Sequence, residues 1–207
     1  RGDLFLQAEM ANTNQYRDTL PRSLIDQLKG MQDRIELLPY RRFFLNHGKV
    51  RFLFEAIDFD TFTKHGKLLF LEGNPQQVMP RLIRGEGVVV SEVMANQLNL
   101  RKGDHFQTKV GGVNLDLPIL GIYRDYRTQG GVVHYSIRHY QRLTDDRTWT
   151  GTRIFLRESG STTRLTDKTK GDITAEIYRI ARRHGGVAVT VGNELRREIL
   201  RIFDETF

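Results

Sequence analysis

The chain has 207 residues, 39% of them hydrophobic and 28% charged, enough to bury a core in one large domain or two lobes and too apolar for a disordered chain. No run approaches the ~20 apolar residues of a membrane-crossing helix, and the absence of cysteine excludes disulfides and thiolate metal sites. The net charge of +7 and pI near 9.8 admit nucleic acid, anionic lipid or an acidic partner, but the charge is spread along the chain, as on a solvated basic surface.

The chain opens on Arg1-Gly2-Asp3 without an initiator Met and enters a strand, Leu4 to Ala8, almost at once. Leu24, Ile25 and Leu28 set a short amphipathic helix ending at Gly30. Ile35 through Leu45 reads as a strand, Asn46-His47-Gly48 as a turn in which Gly48 takes positive φ, and Val50 to Ile57 as the return strand. The first sixty residues are therefore β-α-β-β. At the far end Thr152 to Leu156 is a strand, Ile173, Ile177 and Ile180 mark a helix running to Gly185-Gly186, and Val187 to Val191 is a further strand. These two β-α-β units predict an α+β fold with a split β-α-β sheet from residues 1–60 and 152–207. Between them, residues 61–151 alternate glycines with short strands and predict an inserted β-rich, barrel-like lobe. Its one expected helix starts at Ser91-Glu92, with Met94, Ala95, Leu98 and Leu100 on the buried side.

The final stretch is an amphipathic helix. Leu195, Ile199, Ile202 and Phe203 recur at i, i+4, i+7 and i+8 and share one face, and Asn193 is placed to cap it. No Gly, Asn or Pro follows Phe203 to end the pattern. Ordered structure at both ends is what a piece of a longer chain would show, and the last turn, from Asp204 on, is expected to fray.

Few residues carry chemistry. Ser91 follows a strand but lacks the Gly-x-Ser-x-Gly elbow, so it reads as a helix cap rather than a nucleophile. Asp58-x-Asp60 and Asp145-Asp146 read as strand-end turns, without the further oxygen ligands of a calcium loop. His134 and His139 are spaced i, i+5, which does not put both on one helical face for zinc, and they read as packing residues. No nucleotide-binding glycine motif occurs, and the aromatics are not interleaved with Lys and Arg, so neither a cofactor nor nucleic acid is expected. The stretch that stands out is Tyr123-Arg124-Asp125-Tyr126, where a strand ends in an aspartate between tyrosines before a basic loop that closes on Gly130-Gly131. Aromatic and arginine side chains supply rigid contact area, which makes these residues a candidate partner contact. Capping by Asp125 and core packing by the tyrosines account for the same pattern.

The borders Arg-Gly-Asp-x-Phe-x-Gln and Glu-Leu-Arg-Arg-Glu-Ile-Leu-x-Ile-Phe-Asp-x-Thr-Phe, with the Gly121-Ile122-Tyr123-x-Asp125-Tyr126 segment, resemble the extracytoplasmic domain of the FtsX-like (MacB-like) permease subunits of ABC transporters. The resemblance spans essentially the whole chain. It implies a MacB-type periplasmic core with a porter-like lobe, lying on the periplasmic or extracellular side of the inner (plasma) membrane between flanking transmembrane helices. It also implies a non-catalytic domain whose ATPase is a separate cytoplasmic subunit, a second permease copy alongside, and an envelope adaptor or lipoprotein as a further partner. The work implied is export or mechanical transmission, with Leu195, Ile199, Ile202 and Phe203 on a helix coupling the domain to the bilayer. By itself the domain is expected to be monomeric or weakly dimeric. Two other classes stay open: a soluble ligand- or polyanion-binding module, favoured by the pI, and a hydrolase using Ser91, Asp58 or His134.

Overall fold

The computed structural model describes residues 2–9, 19–158 and 165–204. The fold is mixed α+β, and its contacts divide it into two compact units, Arg1–Pro39 with Thr148–Phe207 and Tyr40–Arg147.

In the first unit the strands run in the order β10 (Val187–Val191), β1 (Leu4–Ala8), β9 (Gly151–Leu156) and β2 (Ile35–His47), the last through its opening residues. The two β-α-β segments thus interleave, each lending a strand between those of the other. β1 lies antiparallel to both β10 and β9 and buries Leu4, Leu6 and Ala8 on one face. The helix α1 (Arg22–Lys29) contributes Leu24, Ile25 and Leu28 to the core, and α6 (Asp167–Arg182) contributes Ile173, Thr174, Ile177 and Ala181. Apolar residues three and four apart make a continuous stripe on each helix, and burying that stripe is what holds such short helices in place. Gly30 ends α1 with φ −67°, an ordinary right-handed conformation, so the helix stops without a left-handed cap. A bidentate pair adds a peripheral tie, with Arg34 Nη1 and Nη2 donating to Glu176 at 2.7 and 3.1 Å.

The closing helix α7 runs from Asn193 to Asp204. Its first bond joins the Arg196 amide to the Gly192 carbonyl at 2.9 Å, so Gly192 holds the cap position and Asn193 lies in the first turn. Leu195 is buried. The side chains of Ile199, Ile202 and Phe203 lie outside the described residues, as do positions 205–207, where fraying was expected.

In the second unit the order is β2, β3 (Val50–Ile57), β8 (Val132–Ser136), β5 (Val88–Ser91), β7 (Val113–Tyr123) and β4 (Phe70–Glu72), while β6 (His105–Val110) forms a hairpin with β7. β3 pairs parallel with β8, and β5 parallel with β7. Such pairs need crossover connections, and α2 (Phe59–His65), α3 (Pro75–Ile83) and α4 (Glu92–Leu98) lie within them, while α5 (Ile137–Thr144) follows β8. The middle of the chain is therefore a mixed sheet with helical crossovers, where the glycine-punctuated pattern predicted a barrel-like arrangement. The division also falls inside β2 and not near residue 60, because β3 is paired through the second half of β2 and through β8.

Candidate functional site

The stretch from Tyr123 to Gly131 leaves the end of β7 and is tied down in stages. The Arg124 amide donates to the Leu69 carbonyl at 2.9 Å. Asp125 accepts the Arg127 amide at 3.0 Å and the Arg127 Nε at 2.8 Å, an aspartate turn of the kind its short side chain favours. Tyr123 is buried and donates its hydroxyl to Asp125 Oδ2 at 3.1 Å. The loop then closes against β3. A side chain at Gly130 would place its Cβ 1.5 Å from the Arg51 carbonyl oxygen, and Gly131 adopts φ +85° beside Met94. Both positions accept glycine alone.

Beneath the loop is a buried charge network. Glu55 is fully buried on β3, with one arginine at each carboxylate oxygen. Arg42 Nε and Nη2 donate to Oε2 at 2.9 and 2.7 Å, and Arg127 Nη1 and Nη2 donate to Oε1 at 3.3 and 3.2 Å. Arg42 faces Glu55 across the β2–β3 ladder, and Glu55 faces His134 across the parallel β3–β8 ladder. His134 is packed against the rings of Tyr123 and Phe59, with centroids 5.2 and 5.5 Å apart. Its Nδ1 has no hydrogen-bond partner among the described residues.

Burial alone would raise the Glu55 carboxyl, but the adjacent Arg42 and Arg127 charges outweigh it and bring it down to about 2. Burial pushes His134 down to about 4 in spite of Glu55, so the imidazole is neutral at pH 7. Asp125, which burial would raise, is held low by its hydrogen bonds from Arg127. Burial first, and the Asp125 charge second, keep the Tyr123 hydroxyl protonated. The network therefore pairs two arginines with two carboxylates around a neutral histidine. None of these groups is poised near neutrality to exchange a proton, and the arrangement holds a loop in place.

The sequence-predicted contact residues divide accordingly. Tyr123 and Asp125 are inward fasteners, while Arg124 and Tyr126 are exposed, Tyr126 by 68%. The Tyr126 hydroxyl donates to Glu92 Oε2 at 2.7 Å, and Leu69 and Leu71 are exposed beside this end of β7. The other candidates are structural. Ser91 is fully buried, and its Oγ accepts the Met94 amide at 3.4 Å and the Val132 amide at 2.9 Å, capping α4 and anchoring β8 at once. Asp58 caps α2 through Thr61. Asp145 ends α5 in the left-handed conformation, and Asp146 accepts from Arg41 and Tyr140. His139 Nδ1 meets the Ser136 hydroxyl at 2.9 Å in the first turn of α5. Among the described residues no group of three His, Cys, Asp or Glu is placed to hold a metal ion.

Among solved structures, the chain is similar to the extracellular domain of the noncanonic ABC-type transporter YknZ from Gram-positive bacteria, with TM-score 0.53 and 11% identity over 91% of this chain and 98% of that one. It is also similar to the periplasmic region of MacB from Actinobacillus actinomycetemcomitans, with TM-score 0.55 and 13% identity over 95% of this chain and 92% of that one. No protein-family model and no curated protein sequence matches it. The chain thus has the fold of these extracytoplasmic transporter domains, the fold that the sequence resemblance implied.

Proposed function

We propose that this chain is the extracytoplasmic domain of an ABC-transporter permease, without enzymatic activity of its own. In this reading ATP is hydrolysed by a separate cytoplasmic subunit, and the domain passes or receives motion outside the inner membrane, for export or for work on the envelope. The observation that carries it is a fold shared over at least 91% of this chain with outward-facing parts of two ABC transporters. A second permease copy completes the transporter. Arg124 and Tyr126, held outward by Tyr123 and Asp125, offer a contact for an adaptor or lipoprotein.

No helix among the described residues is long and apolar enough to cross a membrane, so the reading requires flanking segments of ~20 apolar residues in the full-length protein. The chain has no cysteine, so with any cysteine outside it replaced by serine, a single introduced thiol reports on the domain. Lys109→Cys on the exposed face of β6, introduced into the full-length protein, should react with a membrane-impermeant maleimide in intact spheroplasts. Labelling only after lysis would place the domain inside the cell and remove the proposal.

A further inference from the structure

An open sheet edge in the first unit has the features of a strand-binding site, independently of the transporter reading. β10 ends the order of that sheet and pairs, among the described residues, with β1 alone. The Gly192 amide donates to the Asp3 carbonyl at 2.7 Å, and the Gly186 carbonyl accepts the Glu9 amide at 3.0 Å. Backbone groups alternate sides along a strand, so Ala188 and Thr190 direct theirs to β1, while those of Val187, Val189 and Val191 face the open side. Natural edge strands are usually blunted by charge, proline or a bulge. Val187-Ala188-Val189-Thr190-Val191 has neither charge nor proline, and its register with β1 is unbroken.

The side chains repeat the asymmetry. Val191, Val189 and Val187 lie directly opposite Leu4, Leu6 and Ala8. On β1 this row is buried to 0%, 0% and 3% exposure, yet on β10 it is only half-buried. Val189 and Val191 open into a groove of about 940 Å³ formed with α6 and α7 and lined by Ala175, Tyr178 and Leu200. Lys168, Arg179, Arg182 and Arg196 stand on its rim against Asp167 and Asp172. None of the four cations forms a salt bridge with a described residue.

We propose that this edge and groove dock an extended segment of a partner protein in which acidic and apolar residues alternate. The segment adds as the next strand beyond β10. Its main chain takes the outward amides and carbonyls of Val187, Val189 and Val191, its apolar side chains continue the buried row under α6, and its carboxylates reach Arg179 and Arg182. Charge selects this occupant over a second copy of the chain, because pairing β10 with itself would bring together two rims in each of which Lys168, Arg179, Arg182 and Arg196 outnumber Asp167 and Asp172.

The test titrates the 207-residue chain into a dye-labelled octapeptide of alternating glutamate and valine, read by fluorescence anisotropy, with alternating lysine and valine as the comparison. The glutamate peptide should bind and the lysine peptide should not. Val189→Pro removes an outward amide and no bond to β1, and it should weaken binding at least tenfold while leaving the circular dichroism unchanged. The double variant Arg179→Glu/Arg182→Glu, at exposed positions, should do the same and decides the matter if Val189→Pro does not fold. No binding, equal binding of both peptides, or binding that neither variant weakens overturns the proposal. So does a dimer by light scattering that Val189→Pro converts to monomer, which would assign the edge to a second copy.

Discussion

Glu55 and His134 stand directly opposite each other on the parallel strands β3 and β8, both buried, with His134 Nδ1 3.6 Å from Glu55 Oε1. The distance is too long for a hydrogen bond, and the imidazole stays neutral beside a carboxylate already satisfied by Arg42 and Arg127. The pair contributes to stability in one direction of pH only.

Both groups are depressed in the folded state, His134 from 6.5 to about 4 and Glu55 from 4.5 to about 2. In each case the unfolded chain binds protons at a higher pH than the folded chain, so stability falls as pH falls. The urea midpoint should be level above pH 7 and decline from about 6.5 to 4 as His134 makes its contribution, on the order of 2 kcal/mol. Below about 4.5 the Glu55 contribution should be lost in turn. His134→Gln should flatten the upper part of the decline and leave the lower part. His139, lowered by its own burial, adds a smaller slope of the same sign, which the double variant with His139→Gln would remove.

Breaking the network from the carboxylate side should cost more than breaking it from the loop. Glu55→Leu leaves Arg42 and Arg127 facing a buried apolar group, with a loss of about 3–5 kcal/mol by chemical denaturation. Arg127, whose side chain is 40% exposed, can turn toward water in that variant, which places the loss at the lower end. Arg127→Met removes the tie to the loop while Arg42 still pairs with Glu55. Hydrogen exchange should then quicken for the amides of residues 124–131 and stay slow in β3 and β8.

Ser91→Ala should destabilise the fold by about 1–3 kcal/mol, because the buried Val132 amide loses its acceptor along with the α4 cap. Thermal and urea unfolding would measure it. Ser91→Thr retains the hydroxyl but adds a methyl at a site with 0% exposure, and it should recover only part of the loss.

Tyr126→Ala and Arg124→Ala should change domain stability by no more than about 0.5 kcal/mol, as exposed positions do. If these residues contact a partner, transport-linked activity of the full-length protein should drop in both while expression and folding stay normal. Unchanged activity would confine the stretch to its structural role.

The coupling reading of α7 has its own test. Arg201→Pro, inside the Asn193–Asp204 helix, breaks a backbone bond and costs ~3 kcal/mol or more of helix stability. The sheet of the first unit should survive, since Leu195 anchors the helix a turn and a half earlier. ATP turnover in the assembled transporter should then become independent of extracytoplasmic activity. Full retention of coupled activity would exclude a coupling role for α7.

Much of the first unit was legible because its strands and helices have single periods. Leu4–Ala8, Arg22–Lys29 and Val187–Val191 each announce one face. The second unit showed α4 at Ser91-Glu92 but hid its other helices. Phe59–His65 carries aromatic and β-branched residues over only seven positions, and Pro75–Ile83 contains Pro80, so neither shows the usual helical composition. β7 carries Pro118 within it, which interrupts its strand pattern, and its register with β5 shifts between Val88 and Val89. The Glu55 network was out of reach for a different reason. Arg42, Glu55 and His134 form a single row only once the registers of β2, β3 and β8 are known, and no local pattern encodes a parallel register.

The tight closure at Gly130 bears on how relatives of this chain would be recognised. At 11–13% identity, overall similarity carries little of the signal, yet a Cβ 1.5 Å from a carbonyl oxygen cannot be accommodated by a rotamer change. In a saturation library sorted for folded protein, position 130, like 131, should be a column with one survivor, whereas the exposed neighbours Arg124 and Tyr126 should drift freely. Such a column anchors an alignment where bulk sequence has diverged too far to do so.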